Sequence, residues 1–183
     1  MAKQEGKRDL QAIMEIYKKV GTPGEPHKRL AKLEGSWITR TRGWMEPDKP
    51  PIDSTGTCDQ KLVLDGHYLQ QVYTGDMMGL PFTGINLLGY NNHTGKYESV
   101  WLDSMSTAMY YFEGTASADG KTITQECSYD DPVRGPSVWR SVTRIRDDNT
   151  LEFEMFIAPE RGKDEKMMEM TVSRKEAVAR KAA

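Results

Sequence analysis

The chain has 183 residues, with 25 lysines and arginines against 27 aspartates and glutamates. This length predicts a single domain with short extensions, because one compact core forms at about this size. No run of lysine and arginine exceeds two residues, which argues against a nucleic-acid-binding surface. Every apolar run is interrupted before the roughly 20 residues that a membrane span requires, so we expect no membrane insertion.

The segment Met1–Arg8 is charged and lacks the continuous apolar core of a signal peptide, which predicts a cytoplasmic protein. Cys58 and Cys127 are far apart in sequence and occur in strand-like patterns, so free thiols are favoured over a disulfide or a zinc site. Of the three histidines, only His67 lies where it could ligate haem iron, at the edge of a hairpin. We therefore expect neither a metal nor a cofactor.

Two helices are predicted before residue 35. Between Asp9 and Val20 the apolar residues fall at spacings of three and four, which is one helical face with Asp9 as N-cap and Gly21 as stop. This pattern predicts an amphipathic docking helix. A second, shorter helix is indicated by Pro26 in its first turn and ends at Gly35.

After Gly35 the pattern changes to short runs rich in threonine, valine, tyrosine, tryptophan and isoleucine, separated by turn residues. The predicted strands are Ser36–Met45, Ser54–Leu64, His67–Met77, Phe82–Tyr90, Lys96–Asp103, Thr107–Gly114, Lys121–Tyr129, Ser137–Arg146, Leu151–Ile157 and Glu165–Arg174. Turns such as Asp65-Gly66 and Asp119-Gly120 suit hairpins between antiparallel strands. Sequential hairpins predict an up-and-down meander.

A meander of about ten strands is expected to close into a barrel, because closure removes exposed strand edges and encloses room for one small ligand. The fold class is therefore mainly β, a single antiparallel barrel. The predicted organisation is a helical segment at 1–34, the barrel at 35–175 and a polar tail at 176–183. A two-sheet sandwich with Greek-key crossovers is the alternative, and the short loops disfavour it.

The run Leu33–Trp37, a helix end followed by Gly35-Ser36-Trp37 at the start of a strand, resembles the Gly-x-Trp motif of lipocalins and other calycins. In this position the indole of Trp37 is expected to close one end of the barrel. In lipocalins a basic residue at the end of the last strand lies over this tryptophan. The resemblance implies that role for Arg174, where stacking would contribute about 1 kcal/mol; a solvated strand-end charge is the alternative.

A more extensive resemblance covers His27–Lys175. It rests on the segments His27–Trp37, Met77–Phe82, Leu88–Asn91, Trp101–Met105, Glu113–Thr115 and Phe153–Met155. These are similar to bacterial proteins that contain the domain of unknown function 1579. The resemblance implies a lipocalin-like barrel and no settled activity, so it supplies no catalytic residues.

The hairpin of the fifth and sixth strands is the most informative part of the sequence. A turn at Ser104–Ser106 would place Trp101 opposite Met109 and Tyr97 opposite Glu113, on one face of the sheet. Aromatic residues with a few convergent polar groups are typical of a small-ligand pocket. The predicted ligand-binding residues are Tyr97, Trp101, Asp103, Met109, Tyr111 and Glu113.

The opposite face of this hairpin carries Val100, Tyr110 and Phe112, so the pattern alone leaves open which face is the interior. For the carboxylates, a turn cap at Asp103 and an exposed position at Glu113 are the favoured alternative. On the ninth strand, Leu151, Phe153, Met155 and Ile157 alternate with Glu152 and Glu154 and should face inward with Met168 and Met170. Arg140 and Arg144 would then pair with the two glutamates outside.

Three functions follow as hypotheses. The first is a binding module that takes up one small hydrophobic or amphipathic molecule inside the barrel. The second is an isomerase or lyase in which Glu113 or Asp103 acts as general base beside Tyr111, which requires a carboxylate whose pKa is raised by burial. The third is an assembly role in which the helix Asp9–Val20 docks on a second subunit, giving a homo-oligomer.

Overall fold

The computed structural model describes residues 9–46, 48–77, 79–159 and 164–176. Two helices precede the sheet, α1 (Leu10–Gly21) and α2 (Glu25–Ala31). Ten strands follow: β1 (Gly35–Gly43), β2 (Ile52–Val63), β3 (Tyr68–Met77), β4 (Leu80–Asn91), β5 (Lys96–Asp103), β6 (Tyr110–Ala116), β7 (Thr122–Asp131), β8 (Gly135–Asp147), β9 (Thr150–Pro159) and β10 (Glu165–Arg174).

Each strand pairs antiparallel with the next one in sequence, and β1 pairs with β10 to close the barrel. The predicted ten-stranded meander is therefore confirmed, and the sandwich alternative is wrong. The predicted first helix is also present, with the side chain of Asp9 accepting a hydrogen bond from the Gln11 amide at 3.1 Å. Of the predicted terminal segments, residues 1–8 and 177–183 lie outside the described residues.

Alternation along the strands decides which side chains face the interior. In β9, Leu151 and Ile157 are buried, and Phe153 and Met155 share their face because successive strand residues point to opposite sides. The register with β10 brings Met170 opposite Phe153 and Met168 opposite Met155. These inward positions agree with the predicted alternation.

The barrel has a lower end, next to α2, and an upper end, where the odd-numbered strands terminate. The main apolar core fills the lower half, and α2 and the residues after it cap this half from below. The buried members of this core are Leu30, Leu33, Trp37, Cys58, Leu69, Leu88, Tyr97, Ile123, Leu151 and Val172. The interior is thus sealed at the lower end by side chains from both the helix and the strands.

Trp37 and Arg174 form the seal. Trp37 is fully buried at 0 % exposure and its Nε1 donates to the Leu33 carbonyl at 3.0 Å. The Arg174 guanidinium lies over the indole, 4.2 Å from the ring centroid, so the contact implied by the sequence motif is present. Arg174 also donates to three backbone carbonyls, those of Asp148 at 2.9 Å, Glu34 at 2.9 Å and Lys32 at 3.0 Å.

Helix α1 contacts the barrel only through its C-terminal end among the described residues. Asn92 Nδ2 donates to the Val20 carbonyl at 2.9 Å, and His67 Nε2 lies 2.7 Å from the Gly21 carbonyl. No residue of α1 is buried, and its apolar side chains face outward, including Leu10, Met14, Ile16 and Tyr17. Neither this helix nor α2 has the length and apolarity that a bilayer crossing demands.

Candidate functional site

The candidate site is the upper half of the barrel interior. Inward-facing side chains are buried near α2, and on β1–β5 and β10 they become more exposed toward the upper end, whereas Phe112, Cys127 and Ile157 on β6, β7 and β9 stay buried. The half-buried inward residues of the upper half include Thr41, Gly43, Ser54, Gly56, Tyr73, Gly75, Phe82, Trp101, Phe153, Met155, Met168 and Met170. Solvent therefore reaches inward-facing groups in this half, whereas the lower half is filled.

Small residues on β1, β2 and β3 form one wall of the upper half. These are Thr41, Gly43, Ser54, Gly56 and Gly75, which leave the interior beside them without bulky side chains. At Gly56 a Cβ would approach the Thr74 carbonyl oxygen to 2.5 Å and the Gly75 Cα to 3.1 Å. Backbone cannot move aside as a flexible side chain can, so this position stays free of any side chain.

Aromatic residues form the adjoining wall around Trp101. The indole packs edge-on against Tyr73, with centroids 5.5 Å apart, and is stacked with Phe82 at 6.3 Å. It also lies against Gly84, where any Cβ would overlap the ring. Its Nε1 donates to Asp103 Oδ2 at 2.8 Å. Trp101 is therefore held by three neighbouring residues and at its polar atom, which makes it a fixed apolar platform.

A second aromatic cluster lies beside it on β6, β7 and β8. Tyr110 packs against Tyr129 with centroids 4.8 Å apart and is stacked with Trp139 at 5.8 Å. The Nε1 atom of Trp139 is buried and has no hydrogen-bond partner. An unpaired buried donor costs about 1–3 kcal/mol, so such an atom is expected to find a partner in a bound molecule or an ordered water.

Amide side chains lie beneath the aromatic residues in a row that we call the amide row, consisting of Gln60, Gln71 and Asn86. Gln71 Nε2 donates to Gln60 Oε1 at 2.9 Å, and Asn86 Nδ2 donates to Gln71 Oε1 at 2.8 Å. Gln60 is only 3 % exposed, and its Nε2 has no partner. Within the described part of the chain, Gln60 Nε2 and Trp139 Nε1 are the two buried side-chain polar atoms that lack a hydrogen-bond partner.

Titratable groups next to the amide row remain uncharged. Burial raises the pKa of the Cys58 thiol to about 12. Burial also raises the pKa of the Tyr73 hydroxyl well above its usual value, and the neighbouring Cys58 adds to the effect. Both groups are therefore protonated at neutral pH. Among the residues that the structure describes, inward-facing carboxylates occur only at the upper edge, at Asp103, Asp131 and Glu165.

The predicted register of the β5–β6 hairpin is wrong by one residue. Trp101 lies opposite Tyr110 rather than Met109, and Glu98 rather than Tyr97 lies opposite Glu113. Since the side-chain period of a strand is two, this slip moves the whole predicted β6 set to the other face. Met109 is 72 % exposed, Tyr111 is 50 % exposed, and Glu113 pairs outside with Lys96 at 2.7 Å.

The slip has its cause in the connection between the two strands. Instead of a three-residue turn, residues 104–109 form a longer loop that side chains stabilise. Asp103 Oδ1 accepts from the Met105 amide at 2.9 Å, and Ser106 Oγ accepts from the Ala108 amide at 3.0 Å. Asp103 thus does cap the turn, as the alternative interpretation held.

The structure brings only two of the six predicted binding residues into the upper half, Trp101 and Asp103. Tyr97 faces inward but belongs to the lower core, where its ring packs against Tyr90 with centroids 5.0 Å apart. The sequence interpretation missed Tyr73, Phe82, Trp139 and the amide row. Alternation of Leu69, Gln71 and Tyr73 along β3 was a signal for part of this set.

A surface concavity of about 870 Å³ lies elsewhere, on the outer face of β8, β9, β10, β1 and β2. Its walls are charged side chains of both signs, including the pairs Arg144–Glu154 and Arg42–Glu169. Of the predicted outer pairs, Arg144 with Glu154 is present, whereas Arg140 pairs with Glu126 at 2.8 Å and with Asp164. Glu152 pairs with Arg146 at 2.5 Å. Such exposed pairs are solvated and contribute less than about 1 kcal/mol each.

Metal ligation has no candidate in the part of the chain that the structure describes, since no three histidine, cysteine, aspartate or glutamate side chains converge there. Cys58 and Cys127 are both free and buried. The groups that the upper half offers are therefore aromatic faces, thioethers, amides and hydroxyls, with carboxylates at its upper edge. These groups suit non-covalent binding of a small molecule.

Comparison with known proteins identifies relatives at the level of family and fold. The family described as protein of unknown function (DUF1579) matches residues 22–174. Among solved structures, Rv2717c from M. tuberculosis is similar with a TM-score of 0.63 and 18 % identity, over 84 % of this chain and 99 % of that one.

The S-type phycobiliprotein lyase CPES from Guillardia theta is similar with a TM-score of 0.57 and 14 % identity, over 86 % of this chain and 96 % of that one. At these identities the likeness shows a shared fold. No curated protein matches the sequence.

Proposed function

The chain belongs to the DUF1579 family, and on that premise we propose that its barrel binds one small amphipathic molecule in the upper half of the interior. The observation that carries the proposal is the change in burial along the barrel axis. The lower half is closed by Trp37 and packed, whereas inward-facing residues of the upper half on β1–β5 and β10 are reached by solvent. Ligand sites in proteins are typically concave, largely apolar and supplied with a few polar groups.

The chemistry of the walls supports this proposal. Trp101, with Tyr73 and Phe82, offers an aromatic surface that is already fixed before binding, which lowers the entropy lost on association. Met155 and Met168 face inward from β9 and β10, and unbranched thioethers adapt to ligands of different shape.

A neutral fluorescent probe, N-phenyl-1-naphthylamine, tests the proposal. We expect saturable binding with one probe per chain, and about tenfold weaker binding to Trp101→Leu, because the lost aromatic contact is worth about 1–2 kcal/mol. The matched control is Trp44→Leu, since Trp44 lies beyond the end of β1 beside Arg42. Absence of saturable binding, or equal weakening in both variants, would contradict the proposal.

The general-base hypothesis receives no comparable support. Asp103 and Glu113 lie on opposite faces of the sheet, and Tyr111 is outside with Glu113. Glu113 is ion-paired with Lys96 rather than held in an apolar site. Neither Asp103 nor Glu113 is therefore the buried base beside Tyr111 that this hypothesis requires.

Assembly through α1 is a second candidate, favoured by one observation. Leu10 is 72 % exposed and Tyr17 is 68 % exposed on a helix that buries no residue. Contiguous exposed apolar side chains often mark a surface that contacts another molecule. Native mass spectrometry tests this candidate: a dimer that Tyr17→Lys converts to monomers supports it, and a wild-type monomer contradicts it.

A further inference from the structure

We propose that one proton on His67 controls the attachment of α1 to the barrel: the charged ring holds the helix, and the neutral ring loosens it. The side chains that hold α1 come from two turns at the lower end, His67 between β2 and β3 and Asn92 between β4 and β5. We call this pair the α1 clasp. The inference is independent of the ligand proposed for the upper half.

Both ring nitrogens of His67 face backbone carbonyl oxygens. Nε2 lies 2.7 Å from the Gly21 oxygen, and Nδ1 lies 2.5 Å from the Leu64 oxygen. A carbonyl oxygen only accepts hydrogen bonds, and a neutral imidazole has a single N–H group to donate. The doubly protonated, positively charged ring is therefore the form that satisfies both contacts. Since Gly21 is the last residue of α1, this charge also lies at the helix C-terminus, where the helix dipole favours a cation.

A second histidine nearby has the opposite environment. His27 Nδ1 accepts a hydrogen bond from the Gly24 amide at 3.0 Å, so this ring nitrogen carries no proton. Burial lowers the pKa of His27, and the neighbouring His67 adds to the effect. The two rings lie edge-on with centroids 6.4 Å apart. His27 therefore stays neutral, and His67 is the histidine of this pair that changes its charge.

The direction of the pH effect follows from the groups around His67. The carbonyls of Gly21 and Leu64 raise its pKa, and the carboxylate of Asp65 in the same turn adds to the effect. The remaining titratable groups of the adjoining elements are exposed: Lys18, Lys19, Tyr68 and His93. Because the pKa is raised, the hold on α1 is complete below the unfolded pKa of about 6.5 and weakens as pH rises through the folded pKa.

The loss of one contact matters because α1 has few others. The helix has 12 residues and buries none of them. Helices shorter than about 12–15 residues are marginal in water without tertiary packing. Asn92 Nδ2 donates to the carbonyls of Val20 at 2.9 Å and Thr22 at 2.8 Å, and these two bonds are present at any pH. Neutralising His67 therefore shifts a balance between helix and coil that is already close.

NMR spectroscopy of the full chain between about pH 6 and about pH 9 tests the inference. The ring nitrogen shifts of His67 report how many protons it carries, and the α-carbon shifts of residues 12–19 report the helical population of α1. We expect the ratio of helix to coil in α1 to fall about five- to tenfold over this range, because the cation at its C-terminus is lost. The midpoint of this change should coincide with the titration of His67.

Three variants separate the proton from the other contacts of α1. His67→Gln offers an amide donor at every pH, so the helical population of α1 should no longer depend on pH. Asn92→Ala removes the other half of the α1 clasp and should lower this population at both ends of the range while keeping the change between them. Tyr17→Lys, on the exposed face, should behave as the wild type does.

The outcomes that would overturn the inference are specific. One is a helical population of α1 in the wild type that stays constant with pH, or changes with a midpoint different from that of His67. Another is an equal change in His67→Gln, since a different group would then be responsible. Loss of the change in Tyr17→Lys would mean that a second subunit, rather than His67, sets the order of α1. The wild-type titration decides the first point without any variant.

Discussion

Replacing Arg174 tests the structural basis of the closed lower end. The Arg174→Met variant keeps much of the side-chain volume and removes the guanidinium. It loses the stacking on Trp37, worth about 1 kcal/mol, and three hydrogen bonds from a charged donor to backbone carbonyls. Charged donors usually contribute about 1.5–3 kcal/mol each, but these carbonyls are near solvent and water replaces part of the loss. We expect a total cost of about 2–3 kcal/mol.

Urea denaturation measures this cost as a lower midpoint at an unchanged slope. The matched control is Arg146→Met, which removes an arginine that pairs with Glu152 on the outer face and should cost less than about 1 kcal/mol. Arg174→Lys keeps the charge but loses the planar fork, so its stability should fall between the wild type and Arg174→Met. If Arg174→Met lowers the free energy of unfolding no more than Arg146→Met does, the contacts of Arg174 at the lower end do not stabilise the barrel as proposed.

A double-mutant cycle with Trp37→Phe isolates the stacking contribution. Phenylalanine keeps an aromatic ring but offers a weaker surface to a cation than indole does. We expect a coupling energy of about 0.5–1 kcal/mol between positions 37 and 174, since the two groups are in direct contact. A coupling near zero would mean that Arg174 acts through its hydrogen bonds alone.

Three further predictions concern other parts of the barrel. Gly84→Val should displace Trp101, lower the free energy of unfolding by about 1–3 kcal/mol and shift the tryptophan emission, because the new side chain overlaps the indole; an unchanged spectrum would contradict this. The pKa of His67 is raised by the carbonyls of Gly21 and Leu64, so its stabilising effect is present below the unfolded pKa of about 6.5 and is lost as pH rises through the folded pKa. The melting temperature of the wild type should accordingly exceed that of His67→Leu by less at alkaline than at acidic pH. A difference that does not change with pH would refute the role given to the contacts of His67 with the two carbonyls. Cys58 should resist a thiol reagent until the protein unfolds, because burial raises its pKa to about 12; rapid labelling of the native protein would contradict its position in the interior.

Local signals in the sequence were sufficient for the fold. Turn residues separate the strands at regular intervals, and alternation such as that of Leu151 and Phe153 with Glu152 marks the inward face. The motif at Trp37 identified the closed end because its position depends on one short segment and one partner, Arg174. These features are local or involve a single pair, so they can be read without coordinates.

The candidate site was harder to predict because it depends on strand register. The loop at residues 104–109 replaced a three-residue turn, and this single difference moved Met109, Tyr111 and Glu113 to the outside. The position of a residue along the barrel axis also matters. Tyr97 and Trp101 both face inward, but Tyr97 lies in the lower half and Trp101 in the upper half. The amide row joins three strands, and no pattern within one strand indicates such a row.

The four indole N–H groups offer the most direct test of binding in the upper half, because they report from different places. Trp101 and Trp139 lie in the upper half, Trp37 lies in the sealed lower end, and Trp44 lies beyond β1. In a titration with 1-decanol followed by nitrogen–proton correlation spectra, the indole signals of Trp101 and Trp139 should shift and saturate together. The signals of Trp37 and Trp44 should remain in place. Saturable shifts confined to Trp37 or Trp44, or none at Trp101 and Trp139, would contradict binding in the upper half of the barrel.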